Sequence, residues 1–278
     1  MKIISKSILA DAGGTRIFGM DILAADIAQK ALPGQFVVLM VRPEGERIPL
    51  TVVDSDRDNG TISVIFQEAG LTTGLLARMR SGDSLYAIAG PLGHPTPVKK
   101  YGKVIAVGAG VGIAEVYPVV RALKEAGNEI SVILGARSKS LLILEDELRA
   151  VSGDIVVTTD DGSSGRKGFA TGALEGLLKN CKYDLVYAVG PIAMMRLAAE
   201  TAARFNVRAI VSLNALMLDA TGMCGCCRVR IGGETKFSCV DGPEFDASLV
   251  DWGELENRNR LYLEQERHIC RLKLGDGK

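Results

Sequence analysis

The sequence lacks several features that mark other classes of protein. Its 278 residues hold 33 lysines and arginines against 33 aspartates and glutamates, so the formal net charge is zero. The basic residues are spread along the chain, which predicts neither a nucleic-acid footprint nor binding to an anionic membrane surface. No apolar stretch approaches the roughly 18 residues of a membrane span, and the first residues lead into no apolar leader region. We therefore expect a cytoplasmic protein that binds neither nucleic acid nor membrane.

Cysteine is also scarce, and its distribution is uneven. Four of the six cysteines lie in one segment, which begins at Asp219, contains Cys224, Cys226 and Cys227, and ends at Cys239. Plant-type [2Fe-2S] sites space their thiolates C-x4-C-x2-C before a distant fourth cysteine. This segment has the same spacing with aspartate at the first position. Crowded thiolates in an otherwise cysteine-poor chain favour a shared metal over disulfides, so we expect this segment to handle electrons.

The pattern of apolar runs and turn residues changes twice along the chain, which predicts three domains. Residues 1–98 contain short β-rich runs at Gln35 to Val41, Pro49 to Val53 and Thr61 to Phe66, and these predict a small antiparallel barrel. Residues 99–213 alternate apolar strands with helical stretches, which predicts a doubly wound parallel sheet covered on both faces. Its expected strands are Val104 to Val107, Ser131 to Leu134, Ile155 to Val157, Leu185 to Val189 and Ile210 to Leu213. Residues 214–278 hold the cysteine segment, a polar stretch, a short helix and a charged tail.

A glycine-rich turn follows the first strand of the central domain. Gly108-Ala109-Gly110-Val111-Gly112 opens a helix whose apolar stripe runs from Val116 to Leu123 and which Gly127 is placed to end. Glycines at such a turn let the backbone approach a pyrophosphate. The spacing departs from the Rossmann fingerprint, and no ribose-binding acid follows the next strand. A tight packing turn is the alternative to a nucleotide site.

Other strand ends carry residues suited to a ligand. Arg137, with Ser138 and Lys139, follows the second parallel strand, where a guanidinium could hold phosphate or stack on adenine. A solvated basic turn explains the same residues. Asp160-Asp161-Gly162 and Gly190-Pro191 also follow strands, although each alone is ordinary turn chemistry.

Two motifs in the first domain combine phosphate-binding residue types. Arg47-Ile48-Pro49-Leu50-Thr51 joins a cation, a rigid turn and a hydroxyl, and Gly70-Leu71-Thr72-Thr73 stands at a predicted helix start. A surface arginine and a helix-capping threonine explain them about as well.

Taken together and in this order, these motifs resemble those of the ferredoxin–NADP reductase superfamily. Gly90-Pro91-Leu92-Gly93 belongs to the same series, and the resemblance covers nearly the whole chain. With the cysteine segment added, the chain is similar to electron-transfer subunits of dihydroorotate dehydrogenase B. It is still more similar to small subunits of NADH-dependent reduced ferredoxin:NADP oxidoreductases, also described as sulfide dehydrogenase subunits, because these carry an aspartate at the first cluster position.

The resemblance implies three cofactor sites. It implies FAD on the barrel, NAD(H) on the glycine turn with NADP(H) as the alternative, and a [2Fe-2S] cluster below the flavin. The implied flavin residues are Arg47, Pro49, Leu50, Thr51, Phe66, Gly70, Thr72 and Thr73. The implied nucleotide residues are Gly108, Gly110, Val111, Gly112, Arg137, Asp160, Gly190 and Pro191. The implied cluster ligands are Asp219, Cys224, Cys227 and Cys239.

Two alternatives to this ligand set stay open. Cys226 stands where the family usually places glycine, and it could displace one ligand. Otherwise Asp219 only caps a turn and the cysteines bind zinc. Cys181 and Cys270 fall outside the spacing and are expected to be ordinary small apolar residues.

The resemblance implies an oxidoreductase subunit that passes electrons between NAD(H), FAD and the cluster to a larger partner subunit of an electron-bifurcating complex. Only two histidines are present, His94 and His268, and no residue builds an acid–base site for dihydroorotate or glutamate. We therefore expect the substrate chemistry to lie in the partner. A stand-alone flavin reductase with structural zinc and a regulatory nucleotide-binding subunit are the alternative functions.

Overall fold

The N-terminal part is built from seven strands and two short helices. A computed structural model describes residues 1–274, and the last four residues of the expected charged tail lie outside the described part. The strands are β1 (Ile3–Ala12), β2 (Thr15–Leu23), β3 (Phe36–Met40), β4 (Ile48–Thr51), β5 (Asp54–Asp56), β6 (Thr61–Gln67) and β7 (Ala87–Leu92). The helices are α1 (Ala25–Ala28) and α2 (Leu71–Arg78).

These strands form two antiparallel sheets around one core. The first has the order β1-β2-β6-β5 and the second β4-β3-β7. The rings of Phe18 and Phe66 stack within this core with their centroids 5.4 Å apart. The three expected strands are present as β3, β4 and β6, but β4 ends at Thr51. It ends there because the chain crosses between the sheets. The Val52 amide donates to the carbonyl oxygen of Gln35, just before β3, whereas the Val53 amide donates to the carbonyl oxygen of Ser63 on β6.

The β1–β2 hairpin is an element that the sequence analysis did not predict. Gly13 and Gly14 join its strands, and both have positive φ angles, +56° and +74°. A two-residue turn with this geometry matches the right-handed twist of the paired strands, and glycine adopts it without strain. A Gly-Gly pair between alternating strands is therefore the signal that predicts this hairpin.

The central part has six further strands and four helices. The strands are β8 (Lys103–Ala109), β9 (Glu129–Ala136), β10 (Asp154–Thr159), β11 (Arg166–Lys167), β12 (Leu185–Val189) and β13 (Arg208–Ser212). The helices are α3 (Ile113–Glu125), α4 (Glu145–Ser152), α5 (Ala170–Asn180) and α6 (Ile192–Arg204).

The central sheet is covered on both faces, as the continuous apolar strands predict. Its order is β11-β10-β9-β8-β12-β13, with every one of these pairs parallel. Helices α3 and α4 pack on one face, and α5 and α6 pack on the other. Helix α3 buries its predicted stripe, and Gly127, with φ +83°, lies just beyond its end. The doubly wound arrangement brings the carboxyl ends of the strands, where ligands bind, to one edge.

The C-terminal part contributes to the central sheet and core. It contains β14 (Arg228–Ile231), β15 (Glu234–Phe237), β16 (Glu244–Asp246), α7 (Trp252–Asn259) and α8 (Leu263–Leu274). Strand β16 pairs antiparallel with β13, so the sheet is mixed, with seven strands. Cys227 and Leu255 join the core that lies against α6. Among residues 1–274, no helix combines the length and the apolar character needed to cross a membrane.

Candidate cofactor cavities and cluster segment

A cavity of about 580 Å³ lies between the N-terminal sheets, the glycine turn and the start of the C-terminal part. We call it the central cavity. Its walls include Thr51 at the end of β4, Gly110 in the glycine turn, and Ala215 just before the cysteine segment. The cavity brings together many of the residues singled out from the sequence, namely Pro49, Leu50, Thr51, Phe66, Thr73, Gly110, Val111, Gly112, Gly190 and Pro191. Arg47, Gly70, Thr72 and Gly108 are not among its lining residues.

The predicted helix start at Gly70 is present, and its threonines are already engaged. The Thr73 hydroxyl accepts hydrogen bonds from the amides of Gly70, at 2.9 Å, and Ala69, at 3.0 Å. The buried Thr72 hydroxyl donates to the Glu46 carboxylate at 2.6 Å. A Cβ atom on Gly70 would meet nothing within 4 Å, so packing within the chain does not explain a glycine there. The open space beside the backbone fits the close approach of a ligand.

The three glycines of the turn have different structural roles. A Cβ on Gly112 would lie 2.7 Å from the Val189 carbonyl oxygen, and one on Gly108 would lie 3.0 Å from the Ile113 Cα. These two glycines allow the helix to pack closely on the strands. Gly110 has φ +57° and open space where a Cβ would point. It therefore supplies the left-handed backbone and leaves the cavity side free, so packing and ligand access coexist in this turn.

A second cavity, of about 690 Å³, adjoins the central cavity, and Gly110 and Pro191 line both. We call it the lateral cavity. Arg137 and Asp160 line it, as expected for residues that follow adjacent parallel strands. The exposed Arg137 donates a hydrogen bond to the Thr15 hydroxyl, which ties the central part to the N-terminal hairpin. The cavity also contains a residue that the sequence analysis missed, Phe169, whose side chain is 72% exposed and whose ring is available to a planar ligand.

The cysteine segment places two of its four predicted ligands side by side. Cys227 and Cys239 are both buried, and the Cys239 amide donates to the Cys227 sulfur at 3.4 Å. Burial and the neighbouring Cys227 thiol raise the pKa of Cys239. Cys224 is exposed, and Cys226 is half-buried beside it.

Asp219, the first residue of this segment, contacts the N-terminal part of the chain through Arg47. Arg47 Nη1 lies 3.2 Å from Asp219 Oδ1, and the Thr221 hydroxyl donates to the other carboxylate oxygen.

Within residues 1–274, no three His, Cys, Asp or Glu side chains converge on one point as ligands of a single ion. A [2Fe-2S] cluster takes two protein ligands on each of its two irons, and the Cys227–Cys239 pair matches one such half. Three thiols and a carboxylate in this spacing are a donor set that fits the cluster.

A buried polar cluster at the wall of the central cavity was missed by the sequence analysis. The Thr51 hydroxyl lies 3.3 Å from Glu115 Oε2, and the Tyr187 hydroxyl donates to Glu244 Oε1 at 2.9 Å. Burial, together with the nearby Glu244, outweighs the hydrogen bond from Ser212 and raises the pKa of Glu115 to about 7. Burial also raises the pKa of Glu244. A sequence signal for Glu115 was nevertheless available. This acid lies four residues before Val119, on the apolar face of α3.

Comparison with known proteins gives matches along most of the chain. Residues 214–251 match the model of the iron-sulfur cluster binding domain of dihydroorotate dehydrogenase B, and residues 106–200 match the oxidoreductase NAD-binding domain. The dihydroorotate dehydrogenase B (NAD(+)) electron transfer subunit homolog of Thermotoga maritima is 47% identical over 251 residues, 90% of this chain and 89% of the relative. The electron transfer subunit of Bacillus caldolyticus is 31% identical over 90% of this chain and 97% of its own length.

Solved structures agree with these matches. A chain from a structure of the NADH-dependent reduced ferredoxin-NADP oxidoreductase, described in work on flavin-based electron bifurcation, superposes with a TM-score of 0.92. That chain is 44% identical, and the match covers 98% of this chain and 97% of that one. Ferredoxin-NADP+ reductase from Plasmodium falciparum, at 15% identity and a TM-score of 0.60 over 73% of this chain and 88% of that one, shares the fold.

The fold and its domains define an oxidoreductase subunit that has an NAD-binding domain and an iron–sulfur cluster-binding domain. The chain belongs to the family of dihydroorotate dehydrogenase B electron-transfer subunits. The resemblance inferred from the motifs is confirmed.

Proposed function

We propose that the chain is the electron-transfer subunit of an electron-bifurcating, NADH-dependent ferredoxin:NADP oxidoreductase. It carries FAD, binds NAD(H), holds a [2Fe-2S] cluster and passes electrons to a larger partner subunit. The observation that carries this proposal is the central cavity, whose walls come from Thr51, Gly110 and Ala215, one from each of the three parts of the chain. The solved relative with 44% identity supports the same assignment.

In this proposal the two antiparallel sheets of residues 1–98 are the FAD-binding barrel. Thr51 and Phe66 border the central cavity, and the open space at Gly70 gives a flavin pyrophosphate access to the start of α2. Backbone amides at a helix start favour an anionic group, and the Thr73 hydroxyl fixes the backbone just before this helix by accepting from the Ala69 and Gly70 amides. Arg47 follows Glu46, the residue that accepts the hydrogen bond from Thr72 in this helix. A flavin exchanges electrons either singly or as a hydride, which is the chemistry needed between a nicotinamide and an iron–sulfur cluster.

Residues 99–213 bind the nicotinamide nucleotide. Gly110 and Pro191 line both cavities, so a nucleotide in the lateral cavity reaches the central cavity at these two residues. Arg137 and Asp160 lie on the lateral cavity, and the ring of Phe169 offers a stacking surface. We assign NAD(H) as the physiological nucleotide.

Residues 214–278 hold the cluster, with Asp219, Cys224, Cys227 and Cys239 as ligands. Asn214, Ala215 and Met217 line the central cavity immediately before this segment, so a cluster there lies next to the cavity. Thr221 and Arg47 orient the Asp219 carboxylate. Outer contacts of this kind fix the orientation of a metal ligand. The aspartate at the first position favours this assignment over dihydroorotate dehydrogenase B itself, whose subunits carry cysteine there.

The test is steady-state turnover of the purified chain with an artificial one-electron acceptor, supplied with NADH or NADPH. We expect turnover with NADH, and a lower kcat/KM with NADPH. Absence of turnover with both nucleotides would support a regulatory subunit instead. Turnover by a protein that contains flavin and zinc but no iron would identify a stand-alone reductase. A preference for NADPH would overturn the nucleotide assignment.

A further inference from the structure

The central cavity has one carboxyl group in its wall, and a second lies close behind it; the electron path uses neither. Glu115 lines the cavity from the first turn of α3, and Glu244 reaches the same region from β16. The Tyr187 hydroxyl, on the buried strand β12, donates to Glu244 and also faces the Glu115 carboxyl. Three separate elements therefore bring two acids and a phenol together, and of these only Glu115 lines the cavity itself.

Both carboxyl groups keep an oxygen without a partner. Glu115 Oε1 and Glu244 Oε2 are shielded from water and have no hydrogen-bond partner among the described residues. The partnered oxygens meet only hydroxyl groups, since Thr51 faces Glu115 and Thr96 and Tyr187 donate to Glu244. No lysine or arginine within residues 1–274 forms an ion pair with either acid.

The other titratable groups around the pair do not neutralise it. Tyr101 lies close enough to Glu244 for its own pKa to rise, mainly through burial and partly through that carboxylate. Arg208, whose charge also acts on Tyr101, forms an ion pair with Asp246 at 3.2 Å. Two neighbouring carboxyl groups without a cation resist ionising together, because each charge lacks solvation and repels the other. The pair therefore retains a proton into the neutral range.

The chemistry proposed for the cavity needs such a proton. Reduction of a flavin by a nicotinamide transfers a hydride and takes up one further proton, and reoxidation by a one-electron carrier returns protons. Thr51, which binds Glu115, is itself a cavity residue in the segment proposed to hold the flavin. A carboxyl group at this wall is placed to hold and return the proton.

We propose that Glu115, supported by Tyr187 and Glu244, is the proton-holding group of the central cavity and exchanges one proton with the cofactor bound there. In the reductive direction the carboxyl O–H bond breaks, the proton passes to the cofactor and a carboxylate is left. In the oxidative direction the carboxylate takes the proton back. Tyr187 and Glu244 are positioning residues, because they act through Glu115. The identity of the cofactor as a flavin rests on the proposed function.

The first experiment follows the carboxyl group itself. Infrared difference spectra of the full-length protein as a function of pH should show a protonated carboxyl band that is lost near pH 7. The band should be absent in Glu115→Gln and unchanged in Glu129→Gln, which alters a largely exposed acid of the same domain. A band that persists in Glu115→Gln, or no band that titrates in the neutral range, would overturn the proposal.

A second variant keeps the test decisive if Glu115→Gln folds poorly. Tyr187→Phe retains the buried ring and removes only the hydroxyl that stabilises the ionised carboxyl. The band should then persist and titrate at a higher pH. An unchanged titration midpoint would remove Tyr187 from the assignment and contradict the cluster as described.

The second experiment tests the coupling to the cofactor. The midpoint potential of the bound flavin, plotted against pH, should change slope near pH 7 in the wild type and show no such break in Glu115→Gln. An identical slope in both proteins would contradict proton exchange with Glu115. A protein that binds no flavin would sink the proposed function and the flavin coupling, whereas the infrared titration would still decide whether Glu115 holds the proton.

Discussion

Arg47 and Asp219, 172 residues apart in the chain, form an ion pair in which Arg47 Nη1 lies 3.2 Å from Asp219 Oδ1. The pair links the loop before β4 to the first position of the predicted cluster spacing. Its arginine is half exposed, so the ion pair contributes only about 0.2–1 kcal/mol to stability. Its importance is positional, since it ties the carboxylate to the loop that leads into β4 and the proposed flavin residues Pro49, Leu50 and Thr51.

Replacing Asp219 tests whether this carboxylate binds iron. Asp219→Cys restores a thiolate at the first position, so we expect a changed visible and electron paramagnetic resonance spectrum and a lower cluster potential, because a thiolate donates more electron density than a carboxylate. Asp58→Cys, which adds a thiol in an exposed turn, should leave both unchanged. An unchanged spectrum and potential in Asp219→Cys would argue against ligation.

Serine substitutions distinguish Cys226 from the assigned ligands. Cys227→Ser and Cys239→Ser each remove one member of the buried pair and should reduce the iron content by half or more. Cys226→Ser should keep two irons per chain, as measured by iron and sulfide assays on anaerobically purified protein. Loss of iron in Cys226→Ser alone would assign the ligand to Cys226.

Gly112→Ala should damage the glycine turn. The new Cβ would lie 2.7 Å from the Val189 carbonyl oxygen, where only backbone movement relieves the clash. We expect a loss of about 1–3 kcal/mol in the free energy of unfolding, together with weaker NADH binding. Gly172→Ala is the matched control, since it adds a Cβ in open space in α5 and should stabilise by about 0.5–1 kcal/mol. Equal thermal melting curves for the two variants would contradict the packing role of Gly112.

The raised pKa of Glu115 predicts a pH dependence of stability. The folded state, with a pKa of about 7, binds a proton that the unfolded state, with the ordinary value of 4.5, has already released. This contribution to stability is fully present below the unfolded pKa and is lost as pH rises through the folded pKa. Glu115→Gln should therefore lose less stability than the wild type between about pH 5 and pH 8, by up to roughly 3 kcal/mol. Parallel stability curves from urea titrations would contradict the shift.

Local patterns predicted the parts of this fold that depend on neighbouring residues. The expected central strands, the stripe of α3 and Gly127 beyond its end are all present, because buried parallel strands and helix ends have strong periodic and glycine signals. Ordered motifs also predicted the family. Thr51 and Gly110, which the motifs assign to cofactor sites, both line the central cavity, and that assignment stays a prediction.

Contacts between distant segments were beyond the sequence analysis. No local pattern indicates that β16 joins β13, and that pairing is what brings Glu244 next to Tyr187. The ion pair of Arg47 with Asp219 likewise depends on how the parts pack. Such pairings are fixed by tertiary structure, where residues far apart in the chain share one core.

The most direct test of the central claim is the visible spectrum of anaerobically purified protein, taken with iron, sulfide and flavin assays before and after NADH is added. The account predicts one flavin, two irons and two sulfides per chain, with absorbance that bleaches on NADH addition. A flavin-only spectrum with bound zinc, obtained after attempts at cluster reconstitution, would contradict it and leave a simple flavin reductase.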